Sequence, residues 1–209
     1  MNQIPYHKAM EALIAAIPKG EVPRLMLHAC CAPCSSAVLE KLSEHFAITI
    51  LYYNPNIATE EEYHKREDEL RRLLALIPQK HPIELITLPW EQADFLAIAE
   101  GLEDLPEGGA RCHKCYELRM RRTAELAKDG DFDYFTTTLS ISPLKSAKKI
   151  NEIGENLADT YGVPHLPSDF KKGEGYKRSI ELSREYGLYR QDYCGCIWSM
   201  RRDLIPPEK

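Results

Sequence analysis

The chain has 209 residues, enough for one full hydrophobic core and short for two, and its 44% hydrophobic and 28% charged residues are the balance of an ordinary soluble globular protein. A formal net charge of −5 argues against uniform nucleic-acid binding. No apolar run reaches the ~18 residues that cross a bilayer, and Met1–Gly20 lacks the basic start and apolar centre of a secretory signal, so the expectation is one domain (1–209), cytoplasmic, with no membrane partner.

Residues 2–17, with Ala9, Leu13, Ile14 and Ile17 as an apolar stripe, read as a short packing helix stopped by Pro18-Lys19-Gly20. Leu25–Ala29 has the length of a buried strand and runs directly into Cys30, Cys31 and Cys34; Ser35-Ser36 then open a helix expected over 35–45. These thiols therefore belong to a strand-to-helix turn, where open α/β sheets bind ligands and a helix N-terminus favours thiolate. Ala47–Tyr53 is a second strand, and Thr59-Glu60-Glu61-Glu62 is a capping box for a helix ending at Pro78. Ile83–Leu88 is a third strand, followed by a helix at about 91–100 and a Gly/Pro loop over 105–110. Arg111–Lys128 has helical pattern, so Cys112 and Cys115 share its first turn and their sulfurs can reach one point. Phe132–Leu139 is the fourth strand, Ala147 to Tyr161-Gly162 a helix, Val163–Leu166 a fifth strand, and Tyr176–Gly187 the last helix. Strands alternating with helices imply an α/β fold with a Rossmann-like parallel sheet, helices on both faces, and a cysteine-bearing C-terminal segment (163–209) folding back over the cysteine site.

All seven cysteines fall in three clusters: Cys30, Cys31, Cys34; Cys112, Cys115; and Cys194, Cys196. In a reducing compartment such clusters serve metals or redox catalysis more often than structural disulfides. Two sulfurs from each of the first two clusters would hold an iron–sulfur cluster or a zinc ion, and Cys31-x-x-Cys34 with Cys112-x-x-Cys115 is the ordinary zinc arrangement; spacing does not choose between them. Cys194-Gly195-Cys196 reads as a redox dithiol more than as two further ligands. Its one-residue spacing closes a disulfide only with strain, and Gly195 supplies the backbone freedom. His28 and His113 are weaker metal-ligand candidates and are expected to be packing or surface residues; Tyr193 and Asp192 are candidate proton donors. Charge is asymmetric: residues 1–110 carry 9 Lys+Arg against 17 Asp+Glu (−8), residues 111–209 carry 18 against 15 (+3). The later basic residues (Arg111, Lys114, Arg119, Arg121, Arg122, then Lys145, Lys148, Lys149, Lys171, Lys172, Lys177, Arg178) are either a docking surface for an anionic partner or solvated helix faces.

Taken in order, HACCAPCSS, YYNPNI, GGARCHKCYELRM, FTTTLSISPLK, FKKGEGYKRSIELS and LYRQDYCGCIWSM resemble the epoxyqueuosine reductase QueH family, over about residues 23–202. The resemblance implies a nucleotide α-hydrolase-like α/β sheet and cobalamin-independent reduction of epoxyqueuosine to queuosine at the wobble position of tRNA, the last step of queuosine biosynthesis. It places Cys30, Cys31, Cys112 and Cys115 at the ligand positions of a 4Fe-4S cluster, and Cys194 and Cys196 at those of a redox-active disulfide. It further implies a second, mononuclear iron, with Cys34 as a ligand or a bystander. The chemistry adds a ferredoxin- or flavodoxin-like electron donor and, for the anticodon loop, stacking platforms at Tyr176, Tyr189 and Trp198. The competing classes are a zinc-stabilised nucleic-acid-binding module and a small thiol–disulfide oxidoreductase.

Overall fold

Four parallel strands carry the architecture in the computed structural model, which describes residues 5–200. They are β1 (Arg24–Ala29), β2 (Ala47–Tyr52), β3 (Ile83–Thr87) and β4 (Tyr134–Thr137), in the spatial order β3-β2-β1-β4. β1 is central: Leu27 faces Ile50 of β2 and Thr136 of β4 across the two ladders. Its five residues from Leu25 to Ala29 are all buried, as expected of a strand covered on both faces.

Helices α1 (Tyr6–Ala15), α2 (Ala32–Leu42), α3 (Glu60–Leu76) and α7 (Gly175–Glu185) supply one apolar layer, in which Leu25, Leu27, Val38, Leu42, Leu70 and Leu73 meet. On the opposite face, α5 (Ala110–Asp129) and α6 (Ala147–Tyr161) pack Met120, Ala124, Ile150 and Leu157 against Met26 and Phe135. The short α4 (Ala93–Ala99) leans on α5 through Phe95. The α/β sheet with helices on both faces is thus as the sequence implied. No helix among the described residues is long and apolar enough to cross a membrane. Residues 2–4 of the expected first helix and 201–209 of the C-terminal segment lie outside the described residues.

Two expectations need correction. Helix α2 begins at Ala32, three residues before the expected start, with Cys31 as its N-cap in an extended conformation. Pro33 is compatible with a first turn, because the N–H it lacks would have had no partner there. Ser35 and Ser36, which read as helix starters, instead turn their hydroxyls back onto the carbonyls of Cys31 (2.8 Å) and Pro33 (3.0 Å). Cys34 therefore sits within the first turn. The fifth strand reduces to one parallel bridge between Phe135 and His165, since Pro164 cannot donate to a ladder and Pro167 ends the run.

The sheet reverses its winding between β1 and β4, the crevice where open α/β sheets take ligands. Cys30 follows β1 at this point and Thr138 follows β4; the Cys30 amide donates to Thr138 Oγ1 at 3.4 Å. After α7, which packs on α2, the chain returns along α3. Arg72 donates to the carbonyls of Tyr186 and Gly187 (both 2.9 Å), and the Tyr189 amide donates to Glu69 (2.6 Å). This strap delivers Cys194 and Cys196.

Candidate functional site

Because Cys30 ends the strand, Cys31 caps the helix and Cys34 occupies its first turn, the three sulfurs converge, all lying within 4.8 Å of one another. Three cysteine sulfurs at such separations can bind a metal ion. The Cys30 and Cys31 sulfurs are 3.8 Å apart, and Gln191 on the returning strap donates to Cys31 Sγ at 2.8 Å. Hydrogen bonds from Cys31 and Cys34 hold Cys30 well below the usual thiol range; the same sharing pushes Cys31 up to about 12 and Cys34 well above its ordinary value.

Helix α5 begins after Gly109, and its first two turns carry Cys112 and Cys115. The Gly108 amide donates to Cys112 Sγ at 3.2 Å. Cys115 is buried against Phe95, Cys196 and Trp198, and burial pushes its thiol up to about 12. In the third cluster Gly195 takes φ +121°, a backbone region open essentially to glycine. Its carbonyl accepts from the Ala58 amide (2.9 Å), while the preceding Cys194 carbonyl accepts from Arg66 (3.2 Å). Burial also raises the Cys196 thiol. All seven cysteines are free thiols.

Two cavities organise these sulfurs. The larger, about 340 Å³, is lined by Cys30, Cys34 and Cys194 together with Arg66, Arg119, Lys145, Tyr176 and Tyr193. The smaller is bounded by Cys112, Cys115, Cys194 and Cys196, and Cys194 and Arg119 line both. Among the described residues, Cys30 and Cys31 do not form one tight group with Cys112 and Cys115; the trio within single-ion reach is Cys30, Cys31 and Cys34. Only Cys194 and Cys196 lie on the C-terminal segment.

The weaker candidates separate clearly. His28 is fully buried with both ring nitrogens engaged, Nε2 donating to the Tyr53 carbonyl (3.1 Å) and Nδ1 paired with Thr137 Oγ1 (2.8 Å). Burial lowers it to about 3, so it is a neutral packing residue beneath the site. His113 lies outside the thiol cavities, in a groove between α5 and α6. Tyr193 faces the larger cavity with its ring 5.0 Å from the Arg66 guanidinium, and burial raises its phenol. Asp192, beside it, is exposed on the rim. Of the three expected stacking platforms, Tyr176 lines the larger cavity at 37% exposure. Tyr189 bonds Glu62 and carries Lys65 over its ring, and Trp198 packs on Phe95 beneath Arg111.

Sequence reasoning missed the roles of Arg66, Arg111 and Arg119, three fully buried arginines around the sulfurs. Arg111 donates to the carbonyls of Leu102, Glu103 and Leu105, closing the loop before α5. Arg111 and Arg119 are buried and so, unlike the expectation for the later basic residues, take no part in a docking surface. The spacing Arg111, Cys112, Cys115, Arg119 places them on the cysteine face of the helix. Other members of the basic group are matched locally: Arg121 with Glu117, Arg122 with Glu125, Lys149 with Glu152, Lys171 with Asp169, Lys177 with Glu174, Arg178 with Glu40. Lys145 instead faces the thiols. Burial alone would lower it, but attraction to the Cys194 and Cys30 sulfurs holds it above the usual ammonium range.

Comparison with known proteins gives the family. The protein-family model described as Epoxyqueuosine reductase QueH matches residues 25–202. The chain is 39% identical over 209 residues to the epoxyqueuosine reductase QueH of Staphylococcus epidermidis, covering 98% of this chain and 88% of that protein. It is 36% identical over 214 residues to the protein of that name from Streptococcus pyogenes serotype M1 (100% and 84% covered), and 33% identical over 181 residues to that from Thermotoga maritima (84% and 90% covered).

Proposed function

This chain belongs to the epoxyqueuosine reductase QueH family and is an oxidoreductase, and from that premise we propose that it converts epoxyqueuosine to queuosine in tRNA by cobalamin-independent, two-electron removal of the epoxide oxygen. The observation that carries this reading is the convergence of Cys30, Cys34, Cys194 and Tyr193 on one cavity at the winding reversal of the sheet. Its volume of about 340 Å³ lies in the range of pockets that take a small molecule or a single extruded nucleoside.

Removing an epoxide oxygen as water consumes two electrons and two protons. A dithiol that closes to a disulfide releases two of each, so Cys194 and Cys196 match the balance of the reaction; a ferredoxin- or flavodoxin-like donor then restores the thiols. Tyr193, kept protonated by burial, is the proton donor at the oxygen. Tyr176 stacks on a base at the mouth of the cavity.

The donor set also fits a 4Fe-4S cluster. Cys30 and Cys31 on one side and Cys112 and Cys115 on the other would supply four thiolates, and the buried Arg119, which lines both cavities, has an Nη2 without a partner that could donate to an anionic occupant. When bound, such a group supplies single-electron transfer, and an accessible iron, including a second mononuclear iron at Cys34, supplies a Lewis acid. A zinc ion at Cys30, Cys31 and Cys34 is the competing reading, favoured by the closeness of that trio.

The test is anaerobic purification with iron, sulfide and zinc counted per chain, followed by incubation of the reduced protein with epoxyqueuosine-containing tRNA and mass spectrometry of the released nucleoside. The expected result is a brown protein with sulfide and a product lighter by one oxygen. A colourless zinc protein, or tRNA left unchanged under reducing conditions, overturns the proposal.

A further inference from the structure

Arg119 is 1% exposed, and among the described residues it forms no ion pair. Its hydrogen bonds are to uncharged groups: Nε donates to the Cys115 carbonyl (3.2 Å) and Nη1 to Asn54 Oδ1 (3.3 Å), while Nη2 has no partner. A buried guanidinium carries a heavy desolvation cost unless an anion offsets it, and the groups near Arg119 whose negative charge can do so are the sulfurs of Cys115, Cys194 and Cys30. Arg66, also buried and also lining the larger sulfur cavity, has Glu62 at 2.7 Å; Arg119 has no such carboxylate. The same residue is also a mechanical link. Asn54, which accepts from Arg119, donates to the carbonyl of Ala29, the residue before Cys30. The guanidinium thus joins the turn bearing Cys115 to the strand end bearing Cys30, and it lines both sulfur cavities.

We propose that Arg119 is a positioning residue for the sulfur-ligated metal centre, acting as its buried counter-ion and raising its reduction potential. This rests on the iron–sulfur reading above. A thiolate-bound cluster gains negative charge on reduction, and a fixed positive charge in a low-dielectric pocket stabilises the reduced form more than the oxidised one. Guanidinium suits the task because it stays protonated in any environment and presents a planar fork of donors, two directions of which Cys115 and Asn54 already hold.

The experiment uses the full chain, purified anaerobically as wild type, Arg119→Gln and Arg119→Lys. Iron and sulfide per chain are counted first, and the midpoint potential is then read from the visible spectrum during a reductive titration. The expected result is full loading in all three, a potential shifted to more negative values in Arg119→Gln, and recovery of most of that shift in Arg119→Lys. Loaded Arg119→Gln with the wild-type potential, or Arg119→Lys no closer to wild type than Arg119→Gln, overturns the assignment. Should Arg119→Gln fail to hold iron, retention by Arg119→Lys supports the charge requirement, and loss by both refutes it in favour of packing. Wild type devoid of iron and sulfide would overturn the cluster reading itself, a separate result from a loaded wild type indifferent to residue 119.

Discussion

Gly195→Ala tests whether the Cys194–Cys196 loop is held by a glycine-only backbone. At φ +121° an alanine carries strain of about 1–3 kcal/mol. Its methyl would also lie 3.1 Å from Arg66 Nη1 and Ile57 Cγ1 and 3.3 Å from Asn56 Nδ2, tight contacts with side-chain atoms that give only a little. The strain is released if the loop swings off, but that forfeits the bonds from Ala58 N–H to the Gly195 carbonyl and from Arg66 to the Cys194 carbonyl. These bonds bring roughly 1 kcal/mol and 1.5–3 kcal/mol respectively. Docked and detached loops therefore approach each other in free energy by about the strain, so the detached population rises roughly 5- to 150-fold. The Ala58 amide reports this directly. Its hydrogen exchange should accelerate by that factor in Gly195→Ala, with Leu27 in the central strand unaffected and turnover reduced. Exchange of Ala58 within twofold of wild type, with turnover retained, would refute the argument from backbone strain.

Three further outcomes follow from individual side chains. His165 is buried with neither ring nitrogen bonded, and burial lowers it to about 3. Above its unfolded pKa of about 6.5 it contributes no pH dependence; as pH falls from there toward 3 the unfolded chain alone binds the proton, so stability declines. Between pH 7 and pH 5 this amounts to about 2 kcal/mol, and urea unfolding of His165→Leu should lack that part of the acid loss. Asn151 bonds both backbone groups of Ser168 and the Ala147 carbonyl, at 2.7–2.9 Å; Asn151→Ala should cost about 2–4 kcal/mol in urea unfolding by leaving buried partners unpaired. On the proposed iron–sulfur reading, anaerobically purified Cys30→Ser should lose visible absorbance, whereas Cys34→Ser should keep it and lose only iron in excess of sulfide.

The strands were legible because each is a short apolar run closed by turn residues, and a fully covered sheet needs that pattern. The start of α2 was not. Ala32-Pro33-Cys34 has no helical periodicity, and a serine pair is as good a cap as an internal pair bonding backward, so only the geometry of Cys31 decides. Val163–Leu166 has the composition of a strand, but Pro164 within it and Pro167 directly after it sit at the wrong positions for a ladder. The cysteine clusters were readable as clusters, yet their partition between two cavities depends on where the strap from Tyr186 returns, and no local pattern encodes that path. The arginines show the limit of charge counting. Arg121 points away from Arg111 and Arg119 in helical phase, which was present in the sequence, but Arg122 lies within about 20° of Arg111, so what separates those two is what α4 and the returning strap cover, which was not.

The strap makes α3 responsible for where Cys194 sits, and this dependence can be measured. Glu62, in the first turn of α3 capped by Thr59, binds Arg66 Nε at 2.7 Å and Tyr189 OH at 3.2 Å, while Arg66 passes on to the Cys194 carbonyl. The Arg66 side chain is 2% exposed and that of Glu62 12%, so the pair is little screened. Glu62→Gln keeps an acceptor of nearly the same shape but leaves the buried guanidinium without its anion. Removing one partner of a buried pair costs about 3–5 kcal/mol, and the retained hydrogen bonds should hold this case toward the lower end. If the charge is what matters, the cost must shrink when Arg66 is already absent. Urea unfolding of Glu62→Gln, Arg66→Met and the double variant should give a coupling of at least about 1 kcal/mol, beyond the 0.3–0.5 kcal/mol scatter of independent sites. Additivity within that scatter would mean that Tyr189 and the Arg72 bonds hold the strap unaided. In that case Glu62→Gln should leave Ala58 exchange unchanged, since the Cys194 loop would no longer depend on the charge at its back.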